Sequence, residues 1–325
     1  MERRFFFGLV VIAAAWPLAG RAEQVGVRKV GVLMSTVESD QSGRARLKYL
    51  VQSLNLLGWI EGTNINVEVR WPGADLDRIQ EFTKELIALR CDVIVSTSTP
   101  TTAAVQRETA TTAIVFTNVS DPVGEGFVSS LARPGGNITG FINYEGLMAG
   151  KWVQLLKEID PRITRAAILF NPETAPRGGS YFGPPFEIAA RSLAITPVAI
   201  PVRSDADIEA AIEAIGRQPG DGVVMALDSF MGIHRVKFVE SAARYRVPAV
   251  YPAPMGGLLS HGPDFSEFYS PVGSYVDRIL RGAKPIELPV QIPTKAELII
   301  NLRLAKVLGL DVPTSLLVRA DEVIE

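Results

Sequence analysis

Cysteine and histidine are nearly missing from this chain, which has one Cys and two His in 325 residues. A lone thiol, Cys91, excludes an internal disulfide, so the fold must hold through its core alone, and with 47% apolar residues it has the material. Cys91 directly precedes a β-branched run and reads as a small packed hydrophobe. His234 and His261 have no neighbours at metal-ligand spacing and read as solvated or packed imidazoles. The chain also has no Gly-x-Ser-x-Gly elbow, no His-Glu-x-x-His and no phosphate-binding loop. Gly124-Glu-Gly126 lacks the third glycine of a dinucleotide fingerprint. These absences point away from an enzyme and imply neither metal nor cofactor. Charge excess is missing too: 33 Lys and Arg against 35 Asp and Glu leave a net −2, which excludes nucleic-acid or membrane binding by charge.

One long apolar run exists, Phe5 to Ala15, behind Arg3-Arg4 and ahead of the small residues Ala19-Gly-Arg-Ala22. It is too short to span a bilayer and reads as a secretory signal cleaved near Ala22, which predicts a periplasmic protein with no membrane insertion after cleavage. Arg-Arg-x-Phe resembles a twin-arginine signal, but the rest of that consensus is missing and the general export route is favoured. Removing three Arg and one Glu with the signal takes the charge from −2 to −4.

The mature chain is organised around residues 92 to 143. Asp92-Val-Ile-Val-Ser96 is a strand of the kind buried on both faces of a parallel sheet, and it runs into Ser96-Thr-Ser-Thr-Pro100, a loop of hydroxyls outside a helix that Pro100 can open. Ala113-Ile-Val-Phe-Thr117 repeats the device and ends in Asn118-Val-Ser-Asp121, where Asp121 reads equally as the cap of a following helix and as a ligand contact. Val30 to Met34 is an earlier strand followed by Ser35 and Thr36. Ile65 to Trp71 alternates as a strand with one solvated face. The order is βαβαβαβ.

After Asn143 the pattern restarts. Strands are expected at 166–170, 196–202, 222–227 and 249–251, with helices at 184–192, 205–217 and 232–245 between them. The tail is expected to hold a helix over 271–280, an extended stretch over 288–294 and a helix over 297–308. It is too small for a core of its own and should cross between two lobes as a hinge. The expectation is an α/β protein of two doubly wound parallel-sheet lobes. Residues 28–141 with about 264–290 form one lobe, and 142–263 with about 291–325 the other.

Segments of this chain resemble a known family. Ser120-Asp-Pro-Val-Gly124 and Ala132-Arg-Pro-Gly-Gly-Asn-Ile-Thr-Gly140 are the specific ones, supported by Val30 to Leu33, the strand and loop Asp92 to Pro100, Phe170-Asn-Pro172 and Thr314 to Ile324. Together they look like the ABC transporter substrate-binding family that includes tryptophan- and tyrosine-binding proteins. The resemblance implies the type I periplasmic binding fold and a monomer that hands its ligand to an ABC permease. A sensor that docks on a membrane receptor and an exported α/β enzyme are the alternative readings.

Loops at the carboxyl ends of parallel strands form the crevice of such folds. The first lobe then offers Ser35, Thr36, Ser96, Thr97, Ser98 and Thr99, with Asn118, Ser120, Asp121 and Asn143 beyond them. Hydroxyls backed by helix N-termini suit a carboxylate without an arginine. The second lobe offers Asn171, Tyr181, Phe182, Asp228, Phe230 and Tyr251, with Tyr251 reading also as core. Asp228 could accept an ammonium and the aromatics could sandwich a ring or alkyl chain. The expected ligand is a small organic carboxylate, an amino acid or an aromatic or branched-chain acid.

Overall fold

The computed structural model describes residues 26–263 and 266–325; the expected signal peptide lies outside the described residues. The first lobe is built on five strands, β1 (Arg28–Leu33), β2 (Ile65–Arg70), β3 (Val93–Ser96), β4 (Ala113–Val119) and β5 (Ile138–Ile142). They pair in parallel in the order β2-β1-β3-β4-β5. Three helices join them: α1 (Gln41–Leu56), α2 (Leu76–Ala88) and α3 (Thr99–Glu108). Each is capped by the acceptor side chain that precedes it, Asp40, Asp75 and Ser98 respectively.

The chain then crosses to the second lobe. In order come α4 (Met148–Ile159), β6 (Arg165–Phe170), α5 (Gly183–Ser192), β7 (Thr196–Pro201), α6 (Asp205–Gly216) and β8 (Asp221–Met225). Then follow α7 (Ser229–Ile233), α8 (Arg235–Arg244), β9 (Ala249–Tyr251) and β10 (Leu259–Gly262). Next, α9 (Ser266–Leu280) returns to the first lobe, where it packs along α1: Trp59 Nε1 donates to Asp277 Oδ1 at 2.8 Å and Ser53 Oγ to the Ser270 carbonyl at 2.8 Å. A third crossing leads to β11 (Glu297–Asn301), α10 (Leu302–Val307), α11 (Thr314–Leu317) and β12 (Glu322–Ile324). The second sheet runs β12-β11-β10-β9-β8-β6-β7 and is parallel except between β10 and β11. This is the two-lobed, doubly wound α/β architecture that the strand spacing led us to expect.

Two of the crossings lie side by side. The Ile142 amide donates to the Gln291 carbonyl at 3.0 Å and the Gln291 amide to the Gly140 carbonyl at 2.9 Å. Where the second lobe begins, Trp152 on α4 is fully buried and its Nε1 reaches the His261 carbonyl at 2.9 Å.

Four sequence expectations are corrected. The 297–308 helix is split: Leu298, Ile299 and Ile300 are buried in β11, where ladder pairing and burial on both faces win, and Asn301 then caps α10. The 232–245 helix breaks at His234 into α7 and α8. No helix follows Asp121; its Oδ1 accepts from the Gly124 amide at 2.9 Å and closes a turn. Pro271 lies inside α9 and does not open it.

Candidate functional site

The carboxyl ends of the strands of both lobes face each other across a cavity of about 120 Å³. On the first-lobe side, Ser35 and Thr36 follow β1, Thr97, Ser98 and Thr99 follow β3, and Asn118, Ser120 and Asn143 sit at the ends of β4 and β5. These eight expected residues, with Asp228 opposite, line the cavity.

Within the loop after β3 most hydroxyls are tied to one another. Thr97 Oγ1 accepts from the Ser35 amide at 2.7 Å, and Ser98 Oγ accepts from the Thr101 amide at 3.4 Å as the α3 cap. Ser96 is pulled below the surface, where its Oγ meets Thr102 Oγ1 at 2.8 Å, so it does not line the cavity.

Two polar atoms behave differently. Thr36 Oγ1 and Asn118 Oδ1 are buried without a hydrogen-bond partner among the described residues, and both residues line the cavity. Thr36 is held there by a close backbone approach, since a Cβ on Gly43 would fall 2.1 Å from its Oγ1. Asn118 is presented by a bulge: the β4–β5 register shifts between Phe116 and Val119, and Asn118 takes the left-handed region at φ 55°. Such a backbone is costly for most residues and tolerable for Asn. The Asn118 amide nitrogen donates to the Tyr269 hydroxyl at 3.4 Å, and its oxygen is left without a partner among the described residues.

Cations are part of the wall, contrary to the expectation of neutral donors alone. Arg46 on α1 lines the cavity and its side chain also hydrogen-bonds the buried Tyr269. Arg235, at the start of α8, reaches across from the second lobe to Asp40, Nη1 to Oδ2 at 2.8 Å. Here Asp40 is both the α1 cap and the partner of an arginine in the other lobe.

The second-lobe residues depart furthest from expectation. Tyr181 donates to the Tyr144 carbonyl at 3.0 Å, Phe182 is buried against Trp152 with centroids 5.6 Å apart, Phe230 stacks on His234 at 4.1 Å, and Tyr251 meets Phe238 at 5.5 Å. None of the four lines the cavity: Phe182 and Tyr251 are buried in cores, where a large ring gains most, and the half-buried Tyr181 and Phe230 pack on neighbouring rings instead. Asn171 is buried as a loop brace, its side chain donating to the Val202 carbonyl at 3.0 Å. Asp121 lies outside the cavity, 3.5 Å from Arg177 Nη1. The wall is made instead by Leu227, Ile233, Ala253, Pro254 and Met255, with Pro176 at its edge. The rest of the lining, Ser42, Thr174, Ser229 and Gly232, was also missed.

Asp228 is largely committed within the protein. Its carboxylate accepts from the Asn171 amide at 2.9 Å, Thr174 Oγ1 at 2.9 Å and the Met231 amide at 2.8 Å, capping α7. Burial pushes its carboxyl up to about 6, against the pull of those donors. Asp228→Asn puts an amide N–H against a backbone or hydroxyl donor. It should destabilise the ligand-free protein by about 1–3 kcal/mol. Calorimetry should show a fall of several degrees in melting temperature, and an unchanged value would contradict the capping role.

The sequence pattern of the family described as "ABC transporter substrate binding protein" matches residues 29–324. The chain belongs to this family. Among solved structures, a conserved domain protein from Vibrio cholerae is 26% identical to this substrate-binding protein, with a TM-score of 0.84 over 91% of this chain and 99% of that one. The ABC domain from a streptococcus in complex with L-Trp is 24% identical, with a TM-score of 0.83 over the same shares of each chain. A tyrosine-binding protein of Clostridioides difficile is 30% identical over 124 residues, 38% of this chain. The substrate-binding protein spans about a third, 35%, of that curated relative's length. Among the described residues no helix is long and apolar enough to cross a membrane, and no His, Cys, Asp and Glu group could hold a metal ion.

Proposed function

We propose that this substrate-binding protein receives an amino acid in the cleft between its lobes and delivers it to an ABC permease for import, acting as a monomer in the periplasm. One observation carries the reading. Buried polar atoms are nearly always satisfied, and the two partnerless ones named above, Thr36 Oγ1 and Asn118 Oδ1, border the cavity where a ligand would complete them. The Asn118 oxygen calls for a donor, which an ammonium supplies, and Asp228 adds negative charge on the facing wall. Arg46 and the N-terminus of α3, at Ser98 and Thr99, supply positive potential for a carboxylate. Relatives whose names carry tyrosine and L-Trp fit the same class.

The test is thermal. At about a hundredfold excess over Kd a bound amino acid should add about 2.7 kcal/mol of stability, visible as a rise of several degrees in melting temperature. The reading fails if no amino acid shifts the melting temperature, or if one that does is steadily turned over.

A further inference from the structure

This inference rests on the amino-acid reading of the cleft and concerns the ligand's side chain. On the second-lobe side the cavity is walled by Leu227, Ile233, Ala253, Pro254 and Met255, and among the described residues no aromatic side chain lines it. Ring-bearing ligands gain from offset or edge-on contact with a second ring, and this wall offers none. Two rings on the second lobe pack elsewhere, Tyr251 buried on Phe238 and Phe230 half-buried on His234. Nor does Thr174 offer a spare hydroxyl to a phenol or indole N–H, since its Oγ1 donates to Asp228 and accepts from the Phe230 amide at 3.2 Å.

The wall is also fixed in position. Ile233 Cδ1 lies 3.6 Å from where a Cβ on Gly73 would stand, so α7 is seated against the first lobe. Two residues on, Arg235 is paired with Asp40. A bulky ring would have to push α7 outward and part that pair. Met255 is the adaptable element: a flexible thioether that can follow the outline of a branched or unbranched chain.

We propose that the cleft selects an α-amino acid with an aliphatic or thioether side chain, of the size of leucine, isoleucine or methionine, and disfavours tyrosine and tryptophan. Ile233 and Met255 are its specificity-determining residues. A tight apolar pocket discriminates by about 10–200-fold per methylene.

The experiment is calorimetric titration of the exported protein, refolded to strip endogenous ligand, with L-leucine, L-isoleucine, L-methionine, L-tyrosine and L-tryptophan. The expected result is that at least one of the first three binds about tenfold or more tightly than either ring amino acid, and that Met255→Ala weakens it by about tenfold. Tighter binding of tyrosine or tryptophan overturns this inference and leaves the amino-acid reading standing. No binding by any of the five overturns this inference, while the amino-acid reading falls only if the melting-temperature test with the remaining amino acids is also negative. Should Met255→Ala fold poorly, Ile233→Val serves, with the expected loss largest for the aliphatic ligand.

Discussion

Arg46→Gln should weaken ligand binding by about ten- to 150-fold. The basis is the position of Arg46: half-buried on α1 and lining the cavity with Thr36 and Ser42, on the wall proposed above for the ligand carboxylate. A hydrogen bond to a charged group contributes about 1.5–3 kcal/mol, which converts to that range. Glutamine keeps a side-chain donor for the Tyr269 hydroxyl. Calorimetry on both proteins settles it: a change in Kd of less than about twofold would show that the carboxylate does not face α1.

Arg235→Met should accelerate ligand release by about ten- to 150-fold while leaving the association rate within about threefold. The Asp40–Arg235 pair joins the two lobes beside the cavity that Arg235 lines, and its carboxylate is almost buried, with 8% side-chain exposure against 26% for the arginine. Removing the arginine withdraws about 1.5–3 kcal/mol from the closed arrangement alone, since separated lobes make no such contact. Stopped-flow displacement measures the release rate, and an unchanged rate would show that the pair does not hold the cleft shut.

The pH behaviour of the two acids at the cleft differs in sign. Burial pushes the Asp40 carboxyl upward, but the Arg235 and Ser42 side chains and the Gly43 amide outweigh it and hold it at about 2, below 3.8. Its stabilisation is therefore complete above pH 3.8 and lost as pH falls through 2, so the latch is constant near neutrality. Asp228, raised to about 6, contributes fully below pH 3.8 and less as pH rises through 6. Of these two, Asp228 is the one that titrates near neutral pH.

Much of this was legible in the sequence because the signals were local. The β-branched runs at 30–34, 92–96 and 113–117 end in hydroxyl and amide residues, and strand-end loops are where α/β folds place ligands. Applied to the strand at 249–251, the same rule leads to Ala253, Pro254 and Met255, one turn beyond the tyrosine first chosen. Arg46 also left a trace: Arg46, Leu50, Ser53 and Leu57 fall on one helical face, so a charge rides a buried stripe. The aromatic residues misled because composition says that a ring is present but not which surface buries it. Tyr181 and Phe182 are adjacent to a loop in sequence, but in space Phe182 packs on Trp152 and Tyr181 on Phe182, a relation set by the packing of α4 on α5. The reach of Arg235 to Asp40 spans 195 positions and has no local signature at all.

The pairing of Ile142 and Gln291 with each other's strand segment restricts how the lobes can move. Two connecting segments bound side by side cannot slide past one another without breaking both hydrogen bonds, at about 0.5–1.5 kcal/mol each, so rotation about their common line is the less costly motion. The aperture of the cleft then becomes close to a single mechanical coordinate. One pair of spectroscopic labels across the mouth would be enough to read the state of the whole molecule.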